Sequence, residues 1–275
     1  MTPGRAPQDR SRPVATLVRH DDGGLVWYEA RGDGWRAAFS TRLGGVSAAP
    51  FDSLNLGIST ADEPDCVRRN RAAFAAAAGV AADDLVVAGQ VHGTVITEVG
   101  RGQRGRGAHG PADVLPETDG LLTRETGVPL FISFADCVPV LLVAGRPARA
   151  LALVHAGWRG MAAGIVGEAA RALDDSGDSS TGRAAVIGPS IGPCCFAVSP
   201  DVGERFEAAF PGTWRDGRVD LWEVARRQLL ATGLTAAEIV TSGLCTCHDQ
   251  QFFSHRRDHG ATGRQAAIAW LQEGS

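Results

Sequence analysis

Residues 129–160 read PLFISFADCVPVLLVAGRPARALALVHAGWRG and contain three apolar runs, at Pro129–Phe134, Val138–Val143 and Ala150–Val154. Apolar runs of this length, bounded by turn residues, are typical of strands that are buried on both faces. The Gly-rich turn at the end of the stretch predicts a helix over about residues 161–173. We therefore expect a fold in which buried strands are covered by helices.

The rest of the chain adds strands and helices in mixed order, which predicts an α/β (α+β) fold. Residues 1–14 are expected to form a disordered tail and residues 15–275 a single domain. The Gly/Arg/Pro-rich loop at 100–118 is expected to be a mobile loop or a lid between strands of one sheet. Further elements are predicted as strands within Ala15–Phe39 and at 85–88, 92–99, 184–187, 239–242 and 266–270, and as helices over 63–78, from Ser199, and from Asp220 to Ala231.

Composition excludes several kinds of chemistry. All 27 basic residues are Arg, so a lysine Schiff base and a Walker-A phosphate loop are excluded. With 31 acidic residues the net charge is −4, and the pI near 6.0 argues against a nucleic-acid partner. No apolar run approaches the roughly 20 residues of a membrane span, and the N-terminus lacks the apolar core of a signal peptide. We expect a cytoplasmic protein, monomeric or a small homo-oligomer, without a membrane partner.

Three reactive residues stand where an apolar run begins or ends beside a turn: His92 in GQVHG, Cys137 in ADCVP and His155 in HAGWRG. Open sheets place their sites at such strand ends. Two imidazoles and one thiolate form a three-ligand Zn²⁺ set that leaves a fourth position for water, whose pKa the metal lowers to about 7. We predict that these three residues are catalytic metal ligands, and that Asp136 orients a ligand or moves protons.

Alternatives stay open at this point. A histidine or cysteine at a strand end is often structural, and Cys137 could instead be the nucleophile of a metal-free hydrolase with a histidine as its base. The CTCH segment at 245–248 resembles half of a metal site without a clear second half. The cysteine pair at 194–195 is most simply explained as two packed thiols.

Arginine recognises phosphate and carboxylate groups through two parallel hydrogen bonds. Arg42, Arg159 and Arg257 lie in or beside Gly-containing turns, and we predict that they bind an anionic substrate group. Gln90 of the GQVHG segment is a further substrate-binding candidate. Because the chain has no Lys, a bound phosphate would have to be held by such arginines and by backbone N–H groups.

Six motifs follow one another along the chain: FSTRLGGVS with FDSLNLG, GQVHG, FADCVPV, LVHAGWRG, IGPSIGPCCFAV and CTCHDQQFFSHRRDHGATGR. Together they closely resemble the YfiH-type family, which is also called the laccase-domain or multicopper polyphenol oxidase family. Its bacterial members are named peptidoglycan editing factor. The resemblance runs from about residue 36 to the C-terminus.

The resemblance implies a four-layer α/β/β/α sandwich related to the cytotoxic necrotizing factor fold, with Zn²⁺ at His92, Cys137 and His155. It also implies a purine nucleoside enzyme that carries out phosphorolysis of adenosine, inosine and methylthioadenosine, and deamination of adenosine. The partners would then be a nucleoside and phosphate. A second activity that it implies is hydrolytic removal of L-Ser from UDP-MurNAc-L-Ser, a cell-wall precursor. A third possibility is a non-catalytic protein with a structural metal.

The laccase label disagrees with the histidine pattern. A multicopper oxidase needs imidazole-rich sites built from repeated His-x-His pairs, and this chain contains no such pair. Copper, if it binds, is therefore expected to be adventitious. Two positions depart from the family pattern: Ala197 stands where we expect an acidic residue, and His255 stands where we expect Tyr.

Overall fold

The computed structural model describes residues 15–174 and 182–273, so the expected tail at 1–14 lies outside the described residues. Short 3-10 helices occur at Ala82–Asp84, Arg101–Gln103, Pro111–Asp113 and Ala236–Glu238. The described strands are β1 Val18–Asp22, β2 Leu25–Gly32, β3 Trp35–Ser40, β4 Val86–Val87, β5 Ile96–Glu98, β6 Gly120–Thr123, β7 Leu130–Phe134, β8 Val138–Ala144, β9 Ala150–Ala156, β10 Arg183–Ile187, β11 Trp214–Arg215, β12 Arg218–Val219, β13 Ile239–Thr241 and β14 Gln265–Leu271. The α-helices are α1 Pro64–Ala78, α2 Trp158–Ala162, α3 Ile165–Asp174, α4 Pro200–Ala209 and α5 Leu221–Ala231.

Twelve of these strands form two mixed sheets of six. The first has the order β1-β2-β3-β14-β7-β4 and the second the order β13-β10-β8-β9-β6-β5, while β11 and β12 form a small hairpin. In each sheet the neighbouring strands are mostly antiparallel; the parallel pairs are β4 with β7, β5 with β6, and β10 with β13. β5 and β6 flank the loop at 100–118, so the prediction that this loop connects strands of one sheet is confirmed.

Strand β8 shows why its sequence is a continuous apolar run. Val140 and Leu142 face one side and pack with the helices, whereas Leu141 and Val143 face the other side and pack with the first sheet. A strand covered on both faces loses the alternation of apolar and polar residues that a half-exposed strand shows. The apolar run at Val138–Val143 therefore indicates a strand in the centre of a layered fold.

The helices complete four layers. Helix α1 packs Phe74 and Ala75 on the outer face of the first sheet. Helices α2, α3, α4 and α5 contribute to the core on the outer face of the second sheet, and a third core lies between the two sheets. The order is thus helix, sheet, sheet, helix, and the predicted α/β/β/α sandwich is confirmed.

Local signals located most of the helix ends. Helix α1 begins at Pro64 and its last residue is Ala78. The next residue, Gly79, has a φ of 85°, which allows its N–H to donate to the carbonyls of Ala75 and Ala76. Asp220 caps α5 by accepting a hydrogen bond from the Glu223 N–H.

Two predicted elements differ from the structure. The helix expected over 161–173 begins earlier, at Trp158, and is interrupted at Gly164, whose φ of 91° lies outside the helical region. The strand expected over 92–99 forms only at β5, because the chain before it turns at His92, which has a φ of 62°. Among the described residues, no helix combines the length and the apolar character needed to cross a membrane.

Candidate active site

Two of the predicted ligands are brought together by the β8–β9 hairpin. Cys137 directly precedes β8, and His155 of β9 lies opposite Pro139 in the antiparallel register. His155 has the same orientation as Leu151 and Leu153, which belong to the core between the sheets. Both side chains therefore lie at one end of the core between the sheets.

Asp119, which was not predicted from the sequence, holds this pair in place. It is fully buried just before β6, and its carbonyl accepts the His155 N–H at 2.7 Å. Its Oδ1 lies 2.9 Å from Nδ1 of His155. A carboxylate at this distance makes Nδ1 the donor, so a neutral His155 ring would present the lone pair of Nε2 to a metal.

The same carboxylate also shapes the turn that carries His92. Oδ1 of Asp119 accepts the N–H of His92 at 3.0 Å, and Oδ2 accepts the N–H groups of Val91 and Gly93 at 3.1 and 2.7 Å. These bonds compensate for the left-handed backbone at His92, which costs free energy for a residue with a side chain. The imidazole of His92 then lies edge-on to that of His155, with 5.0 Å between the ring centroids.

The charges of the three groups depend on one another. Burial by itself would raise the pKa of the Cys137 thiol, but His155 and His92 lower it to about 6. Burial would lower the pKa of His155, but the Cys137 thiolate and Asp119 raise it to about 9. Burial would raise the pKa of Asp119, but its hydrogen bonds with His155 and the backbone lower it. At neutral pH the metal-free site therefore holds a thiolate beside an imidazolium.

These side chains could hold a metal ion. One ligand atom each of His92, Cys137 and His155 lies within 4.8 Å of the others. Gly157 makes room for them, because a Cβ at that position would come 2.4 Å from Cδ2 of His92 and 3.4 Å from Sγ of Cys137. A thiolate and two imidazoles are ligands for a borderline or soft divalent cation.

The trio lies in the wall of a cavity of about 630 Å³, which is the size expected for a small-molecule site. Its other walls include aromatic side chains, among them Phe134, Trp158 and Phe196, and the loop at 100–118 contributes Pro111 and Val114. Among the described residues, four arginines also line the cavity, at positions 71, 159, 256 and 264, and Asp136 is the single carboxylate that does so.

The predicted substrate-binding residues fall into two groups. Gln90 and Arg159 line the cavity, although the amide of Gln90 is paired with the backbone of Ser133 at 2.7 and 2.9 Å. Arg42 and Arg257 are not among the lining residues. Nε of Arg42 donates to the Asp52 carbonyl at 2.6 Å, and the guanidinium of Arg257 is used on neighbouring carbonyls and on Asp258.

Asp136 is held in place by other residues, although it lines the cavity. Its Oδ1 accepts from Thr246 Oγ1 at 2.7 Å, and its Oδ2 accepts from Ser254 Oγ at 3.1 Å and from the Arg256 N–H at 2.7 Å. This carboxylate joins three segments of the chain beside Cys137. Its hydrogen bonds fit a positioning residue better than a residue that relays protons.

Two cavity arginines that were not predicted as site residues stand in recognisable sequence contexts. Arg71 stands on the apolar face of α1 beside Val67, Phe74 and Ala78, and a charged residue at such a position needs a reason. Arg264 follows the same Gly-containing turn that Arg257 precedes. For Asp119, a single acidic residue just before a buried strand is too common a pattern to be selected.

Comparison with known proteins places the chain in a family. The model of the family described as multi-copper polyphenol oxidoreductase laccase matches residues 36–272. A relative from Geobacillus stearothermophilus, named purine nucleoside phosphorylase YlmD, is 40% identical over 248 residues, which cover 86% of this chain and 90% of the relative. A purine nucleoside phosphorylase from Deinococcus radiodurans is 37% identical over 237 residues, with 85% and 88% covered.

Solved structures agree with this result. The crystal structure of YlmD from Geobacillus stearothermophilus matches with a TM-score of 0.86 and 37% identity, covering 94% of this chain and 100% of the other. That of the Bacillus licheniformis hypothetical protein YfiH matches with a TM-score of 0.83 and 34% identity, covering 92% and 98%. The chain thus belongs to the multi-copper polyphenol oxidoreductase laccase family, as do these YlmD- and YfiH-type proteins.

Proposed function

We propose that this chain is a zinc-dependent purine nucleoside enzyme that splits adenosine, inosine or methylthioadenosine with phosphate. The observation that supports this most is the cationic cavity beside the histidine–cysteine trio, with four arginines and one carboxylate in its lining. Such a cavity favours a reaction in which an anion is a substrate. The names of the relatives support the nucleoside as the other substrate.

Arg71 is the first candidate for holding phosphate. It is 2% exposed, its Nε and Nη1 donate to the carbonyls of Leu56 and Gly107, and its guanidinium lies on the ring of Phe131. Within the described residues it forms no ion pair with a carboxylate. Burial lowers its pKa to about 9, so it stays charged at neutral pH. Because a buried cation without an anion is costly, a bound phosphate would compensate it.

Arg264 is the second candidate. Leu56 links it to Arg71: the Leu56 N–H donates to the Arg264 carbonyl at 2.9 Å, and the Leu56 carbonyl accepts from Arg71. Nη1 of Arg264 donates to the carbonyls of Thr262 and Gly263, so the guanidinium is also held without a carboxylate. Segment 57–60 lies beside it and lines the same cavity. We assign the phosphate to these two arginines, with the Ser59 hydroxyl of that segment as a further donor.

The trio fits zinc. Two imidazoles and one cysteine that is a thiolate at neutral pH are a known donor set for catalytic Zn²⁺, and the Asp119–His155 hydrogen bond is the usual support of a zinc-bound histidine. Zinc bound there would supply a Lewis acid and a water molecule activated at neutral pH. That chemistry also suits deamination of adenosine, which needs water instead of phosphate.

Other residues of the chain would bind and orient the nucleoside. The rings of Trp158 and Phe196 offer flat apolar faces for a purine. An arginine stacks on each ring: the guanidinium of Arg159 lies 4.4 Å from the centroid of the Trp158 ring, and that of Arg256 lies 5.3 Å from the centroid of the Phe196 ring. In phosphorolysis a phosphate oxygen bonds to C1′ of the ribose while the bond from C1′ to the base breaks. Phosphate and nucleoside must therefore be bound at the same time. The arginines and the aromatic rings meet this requirement because they line the same cavity.

Incubation of the purified chain with adenosine or inosine, with and without inorganic phosphate, tests this function. Chromatography should detect free base and ribose 1-phosphate only when phosphate is present. Inosine and ammonium formed from adenosine without phosphate would report deamination. Base release that does not depend on phosphate would contradict phosphorolysis. Serine release from UDP-MurNAc-L-Ser, in a preparation that leaves nucleosides intact, would replace the proposal with the cell-wall precursor activity.

Arg71→Met tests the phosphate assignment. Loss of a charged donor is worth about 1.5–3 kcal/mol, so the KM for phosphate should rise roughly ten- to hundredfold while the KM for nucleoside changes little. Phosphate should also raise the Tm of the unmodified chain but not of the variant. Arg68→Met is the matched control, because Arg68 is exposed on the same helix and pairs with Asp65. Equal phosphate KM values for both variants would refute the assignment.

A further inference from the structure

Four of the six cysteines gather outside the nucleoside cavity. The pair Cys194 and Cys195 comes from the turn after β10, and Cys245 and Cys247 come from the segment after β13. The Sγ atoms of Cys194, Cys195 and Cys245 all lie within 4.8 Å of one another, and those of Cys194 and Cys195 are 3.4 Å apart. Cys247, two residues along the chain from Cys245, packs against the same core as Cys195. The CTCH segment therefore has a second half, which is the vicinal pair.

The backbone holds these two segments together. The Ser190 N–H donates to the Leu244 carbonyl at 3.1 Å, and the Thr246 N–H donates to the Ser190 carbonyl at 3.0 Å. The N–H of Gly192 then points at Sγ of Cys245, at 3.2 Å. A Cβ on Gly192 would lie 2.8 Å from Cη2 of the Trp222 ring, so this close approach needs glycine. Backbone N–H groups that point at sulfur stabilise thiolates, as they do in metal–sulfur sites.

We propose that Cys194, Cys195, Cys245 and Cys247 form a second metal site, which binds a thiophilic cation such as Zn²⁺ or Cu⁺. Sulfurs bound to zinc at about 2.3 Å in a tetrahedron lie roughly 3.8 Å apart, and the separations among Cys194, Cys195 and Cys245, which are 3.4 Å for the first two and up to 4.8 Å for the others, bracket that distance. Cys247 would be the fourth ligand. All four cysteines are free thiols. A site with four protein ligands is closed, so its role is structural.

The site would brace one wall of the nucleoside cavity. Ile191 and Phe196, which flank the vicinal pair, line that cavity, whereas Cys194 lines a separate cavity of about 520 Å³. The Ile191 N–H donates to the Asp136 carbonyl at 2.9 Å, and Thr246 Oγ1 donates to the Asp136 carboxylate. A metal here would thus fasten two segments that both contact Asp136, the residue beside Cys137.

Cadmium titration tests the site. Cd²⁺ replaces zinc at cysteine sites and gives an ultraviolet charge-transfer band for each bound thiolate. The chain is first changed to Cys137→Ser, so that the trio supplies no thiolate. That variant should bind Cd²⁺ with the absorbance of three or four thiolates. Adding Cys245→Ser should abolish most of the band, whereas adding Cys66→Ser, which changes a cysteine on α1, should leave it intact.

A second measurement uses the unmodified chain, so that it does not depend on the folding of a variant. Under reducing conditions, iodoacetamide should label Cys194, which is exposed, and Zn²⁺ should protect it. Native mass spectrometry should show two bound Zn²⁺ ions. A Cys137→Ser chain without a cadmium band, a band that Cys245→Ser leaves unchanged, or Cys194 labelling that Zn²⁺ does not slow would each overturn the proposal.

Discussion

The carboxylate of Asp119 is the contact on which the trio depends most, and Asp119→Asn removes its charge without changing its size. The carboxylate accepts four hydrogen bonds: Oδ1 from the N–H of His92 and Nδ1 of His155, and Oδ2 from the N–H groups of Val91 and Gly93. An Asn side chain has one oxygen and one NH₂ group. In either orientation, its NH₂ group therefore faces two donors.

The size of the effect follows from this count. A buried donor left without an acceptor costs about 1–3 kcal/mol. The three backbone donors are only partly buried, so the loss of two hydrogen bonds should lower the free energy of unfolding by about 1–3 kcal/mol in total. His155 can avoid the clash only by losing its Nδ1 proton and keeping the proton on Nε2, which leaves no lone pair on the nitrogen that a metal would use. Loss of such a supporting carboxylate typically lowers metal affinity about 10–100-fold.

Urea unfolding and zinc competition with a chromophoric chelator measure the two effects. Glu168→Gln is the matched control, because Glu168 is exposed and pairs only with Arg171 on α3, so it should change stability by well under 1 kcal/mol. An Asp119→Asn chain that unfolds at the same urea concentration as the wild type, or that binds zinc equally well, would refute the role given to this carboxylate.

Two further predictions concern metal affinity. Before a metal binds, the pKa of His155 is about 9 and that of Cys137 is about 6. Zinc must therefore displace one proton between pH 9 and pH 6, and two protons below pH 6. Zinc affinity should fall roughly tenfold per pH unit from pH 9 to 6 and more steeply below pH 6. A slope of zero in this range, measured by chelator competition, would contradict the thiolate–imidazolium pair. Gly157→Ala should lower zinc affinity at least about tenfold because the new Cβ would displace His92. Gly102→Ala, with nothing within 4 Å of the new Cβ, should have no effect. Equal zinc affinities of the two variants in isothermal titration calorimetry would show that the trio tolerates a side chain at position 157.

The fold could be predicted to a large extent because its central strands are unusually uniform. The runs at 138–143 and 150–154 are apolar on both faces, and helix ends such as Asp220 carry their own local signals. The helix expected over 161–173 was partly wrong because nothing local fixes where it starts, and Gly164 breaks it at a position that many helices would tolerate.

The candidate site could also be predicted only in part. His92, Cys137 and His155 stand beside turns where reactive side chains are conspicuous in the sequence. Asp119 lies 36 residues from its partner His155, and only the pairing of β6 with β9 brings the two together. The cationic wall was not predicted because exposed arginines are common in this chain, and the place of Arg71 on the apolar face of α1 indicates a buried cation without showing what it faces.

The β8–β9 register has a consequence for folding. Side chains alternate with a period of two along a strand, so a slip of one residue in this hairpin would turn His155 away from the core between the sheets. Apolar residues fill both faces of β8 and β9, and a slipped pairing would therefore bury almost as much apolar surface. Packing discriminates weakly between the two registers, but the His–Cys pair exists in only one of them. A metal ion that binds this pair would select the correct pairing during folding, in addition to any part it takes in the reaction.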